Sequence, residues 1–311
     1  MIELLLLILG LVMLSATGWG LQALSSAYQQ DSPSGSKLLW DTAVSQLPLF
    51  LVSGLTIAAG HSAQTMAMIS GIPLASLFLI LPLVAWSQPI LVNKNISVKL
   101  LPFYLIVCVL VFIFSLGGEQ SRWISLIELL IYLLFLKIMW GYVSDASEDK
   151  KPSARSLNVA KPSLSWLTLL VPGMGLGAVL SEFAITRLAL DFHIAPEWLG
   201  LAPLSIVLAL GLLPKLLRLA QAGQMAALLG QVLVQVLTVL LFVPGVLGLL
   251  KPFWFYGSTH PPQAYDFWAL LVSGLLMLVL IGRQAPRKIT RRKAVLMFLI
   301  YGLYLSFRYF N

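Results

Sequence analysis

The side chains of this chain that could hold or steer a solute are few, mostly neutral, and set inside long apolar runs. Pro203 to Lys215 reads as an apolar helix with Pro214 near its end and a lysine directly after it. A charge within a membrane span costs at least about 2.5–3.5 kcal/mol, so Lys215 either serves a site or snorkels with Arg218 to the headgroups. Met225 to Leu250 is apolar again, yet Gln231, Gln235 and Thr238 recur at a spacing that places them on one side of a helix. Ser45, Gln46 and Ser76 are their fainter echo in the first half, with Ser45 and Gln46 just before Pro48. A backbone group freed inside lipid must find an internal partner, and interrupted helices are where membrane carriers place their sites. The candidate transport site is therefore Ser45, Gln46, Ser76, Lys215, Gln231 and Gln235, with Pro48, Pro73 and Pro214 as expected helix breaks. Neutral amides also tie helices together at about 0.6–2 kcal/mol, so helix glue and solute contact stand as equal readings of the glutamines.

Other chemistries find no support. His61, His193 and His260 fall in expected loops and form no cluster, whereas a metal site needs ligands one helical turn apart or accompanied by carboxylates. No phosphate-cradling glycine loop, His-Glu-x-x-His or paired aspartates within a span occur, so an enzyme is disfavoured, with no catalytic residue, metal or cofactor expected. Structural pairing is expected for the acids near spans: Asp41 with Lys37, and Glu182 or Asp191 with Arg187. Glu128 stands near the outer end of its helix. Trp254, Phe255 and Tyr256 beside Lys251 read as an interfacial anchor.

The elements that must position these residues follow from composition. Hydrophobic residues make up 59% of the 311 and charged residues 10%, against about 25% in a soluble domain. A span takes roughly 20 apolar residues, and ten helices are expected: about 2–23, 38–59, 66–86, 100–115, 124–143, 164–180, 199–219, 225–250, 267–281 and 294–307. The first lacks a basic lead-in, since no Lys or Arg precedes Lys37, and reads as a retained span rather than a cleaved signal. The net charge of +8 sits in short loops, where anionic headgroups account for it without a nucleic-acid partner. With the N-terminus outside, the loops holding Lys37, Lys94, Lys99, Lys150 to Lys161 and Arg283 to Lys293 face the cytoplasm, and the outer segments hold only Arg122, Arg187, Lys251 and Arg308. Both termini then face outward, in a plasma membrane of bacterial inner-membrane type, with membrane lipid and an unknown small solute or ion as partners. The lone Cys108 excludes an internal disulfide.

The polar interruption from Ser144 to Ser163 divides the chain into residues 1–143 and 164–311, each with five expected helices. An odd number per half inverts one half relative to the other in the membrane. Leu47-Pro48-Leu49 and Leu213-Pro214-Lys215 each close a second span. The interval from Ala67 to Pro89 equals that from Gly230 to Pro252.

These features resemble the cation/calcium exchanger superfamily, the sodium/calcium exchanger-like membrane proteins. Leu204-Ser205-Ile206-Val207 running into Leu213-Pro214 is similar to that family's Leu-Thr-Ile-Val leading to Leu-Pro-Glu, and Gly230-Gln231 to its Gly-Asn. Gly60-His61-Ser62 and Gly71 fall at the spacing of its first-half glycines. The resemblance implies an all-helical membrane protein of two inverted five-helix repeats and a secondary transporter. It also implies a departure, because the two ion-binding glutamates fall on Leu49 and Lys215, and the asparagines on Pro73, Ser76, Gln231, Val236 and Val239. Calcium takes about six to eight oxygen ligands with carboxylates among them. The expectation is a carrier whose site does not use the family's Ca/Na carboxylates. The alternative is a non-transporting relative that serves as a membrane scaffold or partner.

Overall fold

The computed structural model describes residues 2–28, 34–92, 100–148, 165–254, 263–282 and 288–310. Each expected apolar segment is helical. In chain order these are α1 (Ile2–Tyr28), α2 (Ser34–Ala58), α3 (Ser62–Ala75), a π turn (Ser76–Ile80) and α4 (Leu81–Ser87), then α5 (Leu101–Leu116) and α6 (Arg122–Glu148). The second half holds α7 (Ser165–Phe192), α8 (Pro196–Leu199), a π turn (Gly200–Leu204), α9 (Ser205–Leu210) and α10 (Leu213–Gln221). It continues with α11 (Met225–Leu237), a π turn (Thr238–Phe242), α12 (Val243–Leu250), α13 (Gln263–Gly282) and α14 (Arg291–Phe310). Among the described residues, five helices are long and apolar enough to cross a membrane, or six if the bent α8–α10 segment counts as one span.

Several boundaries and breaks differ from expectation. Helix α6 runs through Ser144 to Glu148, so the polar interruption begins later, and residues 149–164 lie outside the described part. Helix α7 continues past Leu180 to Phe192. The expected breaks at Pro48 and Pro73 are absent: Pro48 lies within the continuous α2, and Pro73 within α3. A proline in a helix removes one amide donor, and neighbouring helices and side chains can re-satisfy the freed backbone group so that the helix continues past it. Pro214 does not close a helix either. The chain bends by 42° between Leu210 and Leu213, and Pro214 sits in the first turn of α10, where a missing N–H deprives no carbonyl.

The interruptions lie elsewhere, and proline explains two of them. Pro82 and Pro244 would each drive their ring against the carbonyl four residues back, Phe78 or Leu240, in a regular α-helix. Both carbonyls fall in π turns, where the Leu81 and Val243 amides reach five residues back to the carbonyls of Ser76 and Thr238. Widening the helix by one residue just before the proline relieves the clash while keeping backbone groups paired. The third π turn closes the same way, from the Ser205 amide to the Gly200 carbonyl, with Pro203 inside it.

Burial separates centre from perimeter. In Ser62–Ser87, 89% of the most apolar stretch is buried, and in Ala227–Leu250, 83%, against 28%, 33% and 22% for the stretches in α1, α7 and α14. Perimeter helices show Leu4, Ile8, Leu176 and Leu303 to their surroundings, which costs nothing in hydrocarbon. Two short ribbons tie the centre to the perimeter reciprocally. β1 (Ile90–Leu91), just after α4, pairs antiparallel with β4 (Lys288–Ile289), just before α14. Likewise β3 (Phe253–Trp254), just after α12, pairs with β2 (Glu119–Gln120), just before α6. In keeping with this, α4 packs on α14 and α12 on α6.

The first helices of the two halves make the most extensive contact in the molecule. Gly173, Gly177 and Ser181 recur every fourth residue on α7 and let its backbone meet that of α1 at Gly10. A Cβ at Gly177 would stand 3.0 Å from both the Gly10 carbonyl oxygen and the Leu14 amide. These are main-chain atoms that cannot swing aside, and small residues at such crossings are how helices in lipid gain dispersion contact. Gly177→Leu is expected to cost at least about 1–3 kcal/mol, read as a lower melting temperature in detergent. Gly175→Leu, where a Cβ meets nothing within 4 Å, should melt like the wild type.

Candidate functional site

The bend between α9 and α10 faces the middle of α2, and the gap between them is a cavity of about 20 Å³. That is room for about one water. Gln46, Pro48 and Leu49 line it from α2, Ile72 from α3, Val207, Leu208, Gly211 and Leu212 from the bend, Gln235 from α11, and Leu14, Ser15 and Gly18 from α1. Its polar side chains are two amides and a hydroxyl, and none of its lining residues is ionisable. Gln46 is 2% exposed and Gln235 4%, and the Gln235 Oε1 has no hydrogen-bond partner. An orphaned buried carbonyl costs about 1–3 kcal/mol. A donor entering this cavity would recover it.

The structure thus brings together Gln46 and Gln235 of the expected site. Gln231, one turn earlier on α11, is buried with its Nε2 unpartnered, but it does not line the cavity. Ser76 is fully buried, its hydroxyl also without a partner, at the start of the π turn after α3. Lys215 lies partly exposed on α10 beyond the bend, and Arg218 is exposed one turn on. Neither lines the cavity. The Ser45 side chain, with those of Lys37 and Asp41, lies outside the described residues, as do His260, Phe255 and Tyr256.

Thr238 occupies the place in its helix that Ser76 has in the other, the first residue of a π turn. Its hydroxyl donates to the Val234 carbonyl at 2.7 Å and meets the Tyr132 hydroxyl at 3.0 Å. The Tyr132 ring stacks on Phe242, at 5.0 Å between centroids, and Phe242 meets Phe50 edge-on at 5.3 Å. This aromatic chain clamps the π turn between α6 and α2. On the other side of the molecule, Gly71 allows α3 to approach α9, since a Cβ there would come within 2.6 Å of the Leu201 carbonyl oxygen. The same contact is made by Ser205, whose hydroxyl donates to the Gly200 carbonyl at 2.8 Å.

The ionisable groups cluster away from the cavity, and not as sequence spacing suggests. Glu182 pairs not with Arg187 but with His61 at 2.8 Å, and also accepts a bond from Gln64 at 3.3 Å. Arg187 instead lies over the Phe183 ring, 5.5 Å from its centroid. The Gln120 amide donates to the buried Glu128. Asp266 takes bonds from Arg308 at 2.9 Å and Tyr304 at 2.8 Å, a buried ion pair linking α13 to α14. Among the described residues, no three His, Cys, Asp or Glu side chains are grouped to hold a metal. The only sequence signal for these partnerships is an acid in an apolar helix, which must be paired with something. Spacing cannot name His61, which is 121 residues from Glu182.

Comparison with known proteins bears directly on this arrangement. Residues 163–310 match the family model described as sodium/calcium exchanger protein. That match covers just under half of the chain, all of it in the second half. The fold of an H+/Ca2+ exchanger, CAX, superposes with a TM-score of 0.74 at 12% identity, over 99% of this chain and 86% of that one. The sodium-calcium exchanger NCX_Mj, soaked with 2.5 mM Na+ and 1 mM Sr2+, gives 0.65 at 18% identity over 98% of both chains. Soaked with zero Na+ and Ca2+, it gives 0.64 at 19% over the same shares. At such identities the likeness is one of fold. A comparison with curated proteins finds no match. Members of the exchanger family are transporters, not enzymes.

Substitutions separate hydroxyls that hold this exchanger fold together from one that does not. Thr238→Val should destabilise the protein by about 1–3 kcal/mol, because it strips the partner from the buried Tyr132 hydroxyl. Ser76→Ala removes an already unpartnered hydroxyl and is expected to be neutral or stabilising. Denaturant unfolding in detergent, followed by tryptophan fluorescence, reads both.

Proposed function

We propose that the chain is a secondary transporter of exchanger architecture whose solute is held by neutral amides rather than by the carboxylates of a calcium site. The observation that carries this reading is the cavity at the α9–α10 bend, which offers Gln46 and Gln235 and no ionisable side chain. Calcium takes about six to eight oxygens, with carboxylates balancing its charge. Leu49, where the resemblance puts the first glutamate, is a buried hydrocarbon wall of the cavity. Lys215, at the second, stands outside the lining. A small ion or solute of low charge suits what remains, with Ser76 and Gln231 as further contacts in another conformation.

The same reading takes the molecule as ten spans in two inverted repeats, 1–143 and 164–311, joined by a cytoplasmic linker over 144–163. The reciprocal ribbons support it, since the strand after each central helix pairs with the strand before the other half's last helix. So does the matching π turn and proline in each central helix. With both termini outside a plasma membrane, β1 and β4 fall on the cytoplasmic side, where Arg291 Nε donates to the Trp86 carbonyl at 3.0 Å. The other ribbon falls outside, where Lys251 Nζ donates to the Ile57 carbonyl at 3.2 Å.

A second reading, a membrane scaffold that no longer transports, is favoured by one observation. Leu49, Pro73, Val236 and Val239, at positions matched to the family's ion ligands, are all buried. Reconstitution into vesicles decides between the two. The transport reading expects proton or sodium flux under an imposed gradient, no uptake of labelled calcium, and loss of flux in the double variant Gln46→Leu, Gln235→Leu. Calcium uptake would sink the amide site, and absence of flux for every ion and gradient would favour the scaffold.

A further inference from the structure

Glu128 on α6 is a buried acid whose charge nothing answers. It is 1% exposed, and among the described residues its carboxyl takes a hydrogen bond from Gln120 alone, at 2.5 Å. Gln120 and Ser125 beside it are fully buried. The three are sealed in the seam between α6 and α12, where Gly248 lies over them without a side chain. A Cβ there would come within 2.8 Å of the Gln120 Cγ. The β2–β3 ribbon closes the end of the seam, with Gln120 opposite Phe253.

Among the described residues, no basic group pairs with this carboxyl. Helix α12 and the π turn before it carry no ionisable residue. Helix α2 carries only Lys37 and Asp41, both near its start, with side chains outside the described residues. On α6 itself Arg122 and Lys137 are exposed, and Tyr132, one turn on, meets Thr238. Beside the ribbon Glu119 and Lys251 are exposed, and Lys251 is spent on the Ile57 carbonyl. Helix α5, against β2, holds only Tyr104, bonded to Ser273, and Cys108. A buried carboxylate with no cation is neutralised by a proton rather than held as an ion.

The neighbouring amide suits that proton. Both Nε2 hydrogens of Gln120 are committed, to Glu128 and to the Ser125 hydroxyl at 3.1 Å, while its buried Oε1 has no partner. With the amide turned over, Oε1 faces the carboxyl and supplies the acceptor that a protonated Glu128 needs. The 2.5 Å separation lies in the range of an O–H···O bond and is shorter than N–H···O bonds normally are. Ser125 can follow by swinging its hydroxyl from the Ser121 carbonyl, at 2.9 Å, to Oε1, because that carbonyl keeps the Ser125 amide at 3.0 Å. At worst one buried group is orphaned in either state, but only the protonated state is free of an unpaired charge. We propose that Gln120, Ser125 and Glu128 form a proton-binding site, in which Glu128 reversibly takes one proton on a carboxylate oxygen and donates it in a hydrogen bond to Gln120 Oε1. Helix α12 is the last segment of the second central helix, so occupancy of the site acts on the packing of that helix against α6. The inference stands whatever solute the amide cavity holds.

The test is infrared difference spectroscopy of the full chain in nanodiscs, stepped from acid to alkaline pH, for wild type, Glu128→Gln and Gln120→Leu. Wild type should show the C=O stretch of a hydrogen-bonded, protonated carboxyl that is lost as the pH is raised and is missing from Glu128→Gln. Gln120→Leu should keep this band and shift it to higher wavenumber, as for an acid without its acceptor. Should Glu128→Gln not fold, Glu128→Asp serves in its place and should move the band rather than abolish it. Loss of only a carboxylate band in Glu128→Gln at every pH would mean that the acid is always ionised, and would overturn the proposal. So would a band that persists to the alkaline end, which makes the acid a fixed structural group, or one that stays unmoved in Gln120→Leu or Glu128→Asp.

Discussion

The constraint on which this structure depends is that a backbone amide or carbonyl inside lipid has no water to fall back on. Every interruption of a helix must be closed by another protein group, and this chain closes its central ones with π turns. At Ser76–Ile80 and Thr238–Phe242 the helix widens just ahead of a proline, and the bonds from Leu81 to Ser76 and from Val243 to Thr238 keep the chain paired. The result is two helices that change register at mid-course without exposing a broken end. Both are buried almost throughout, so they form the axis of the molecule while more lipid-facing helices pack around them.

Around that axis the fold uses means that work in the absence of a hydrophobic driving force between helices. Backbone contact at Gly10 and Gly177 holds α1 against α7, and Gly71 brings α3 against the π turn at Gly200–Leu204. Polar pairs are spent outside the lining of the amide cavity: His61 with Glu182, Gln120 with Glu128, Asp266 with Arg308. The centre is left with neutral groups only, and several of them are orphaned: Ser76, Gln231 and Gln235. Orphaned buried polar atoms cost stability. Further orphaned atoms lie on Ser53, Gln120, Trp198, Asp266 and Tyr301, outside the two central helices.

A charge-poor centre within an exchanger fold has a physical consequence for selectivity. Carboxylates attract divalent cations and balance their charge, and amides can do only the first part weakly. Gln46 and Gln235 supply oxygen and nitrogen dipoles across a gap the size of a water, walled by Leu49, Ile72 and Leu212. As the proposed solute site, such a cavity would discriminate by size and hydrogen bonding more than by charge. It sits at the 42° bend between α9 and α10, where a change in helix angle would open or close it.

Composition and periodicity alone determined the medium, the ten helical segments and the glutamine face of α11, because apolar length and the helical repeat are local properties of a chain. The proline and glycine spacing that carries the resemblance to the exchanger family, whose model matches residues 163–310, was also legible. Local pattern failed wherever packing overrode it. Pro48 and Pro73 read as breaks but lie in intact helices, whereas Pro82 and Pro244 drew no attention and set the π turns. Arg187 looked like the partner of Glu182 because it is close in sequence, but the fold supplies His61 from 121 residues away. Which of the candidate polar residues meet was likewise a tertiary decision. Gln46 and Gln235 share a cavity that Lys215 does not line, since helix rotation and crossing are fixed by contacts between elements that no single segment encodes.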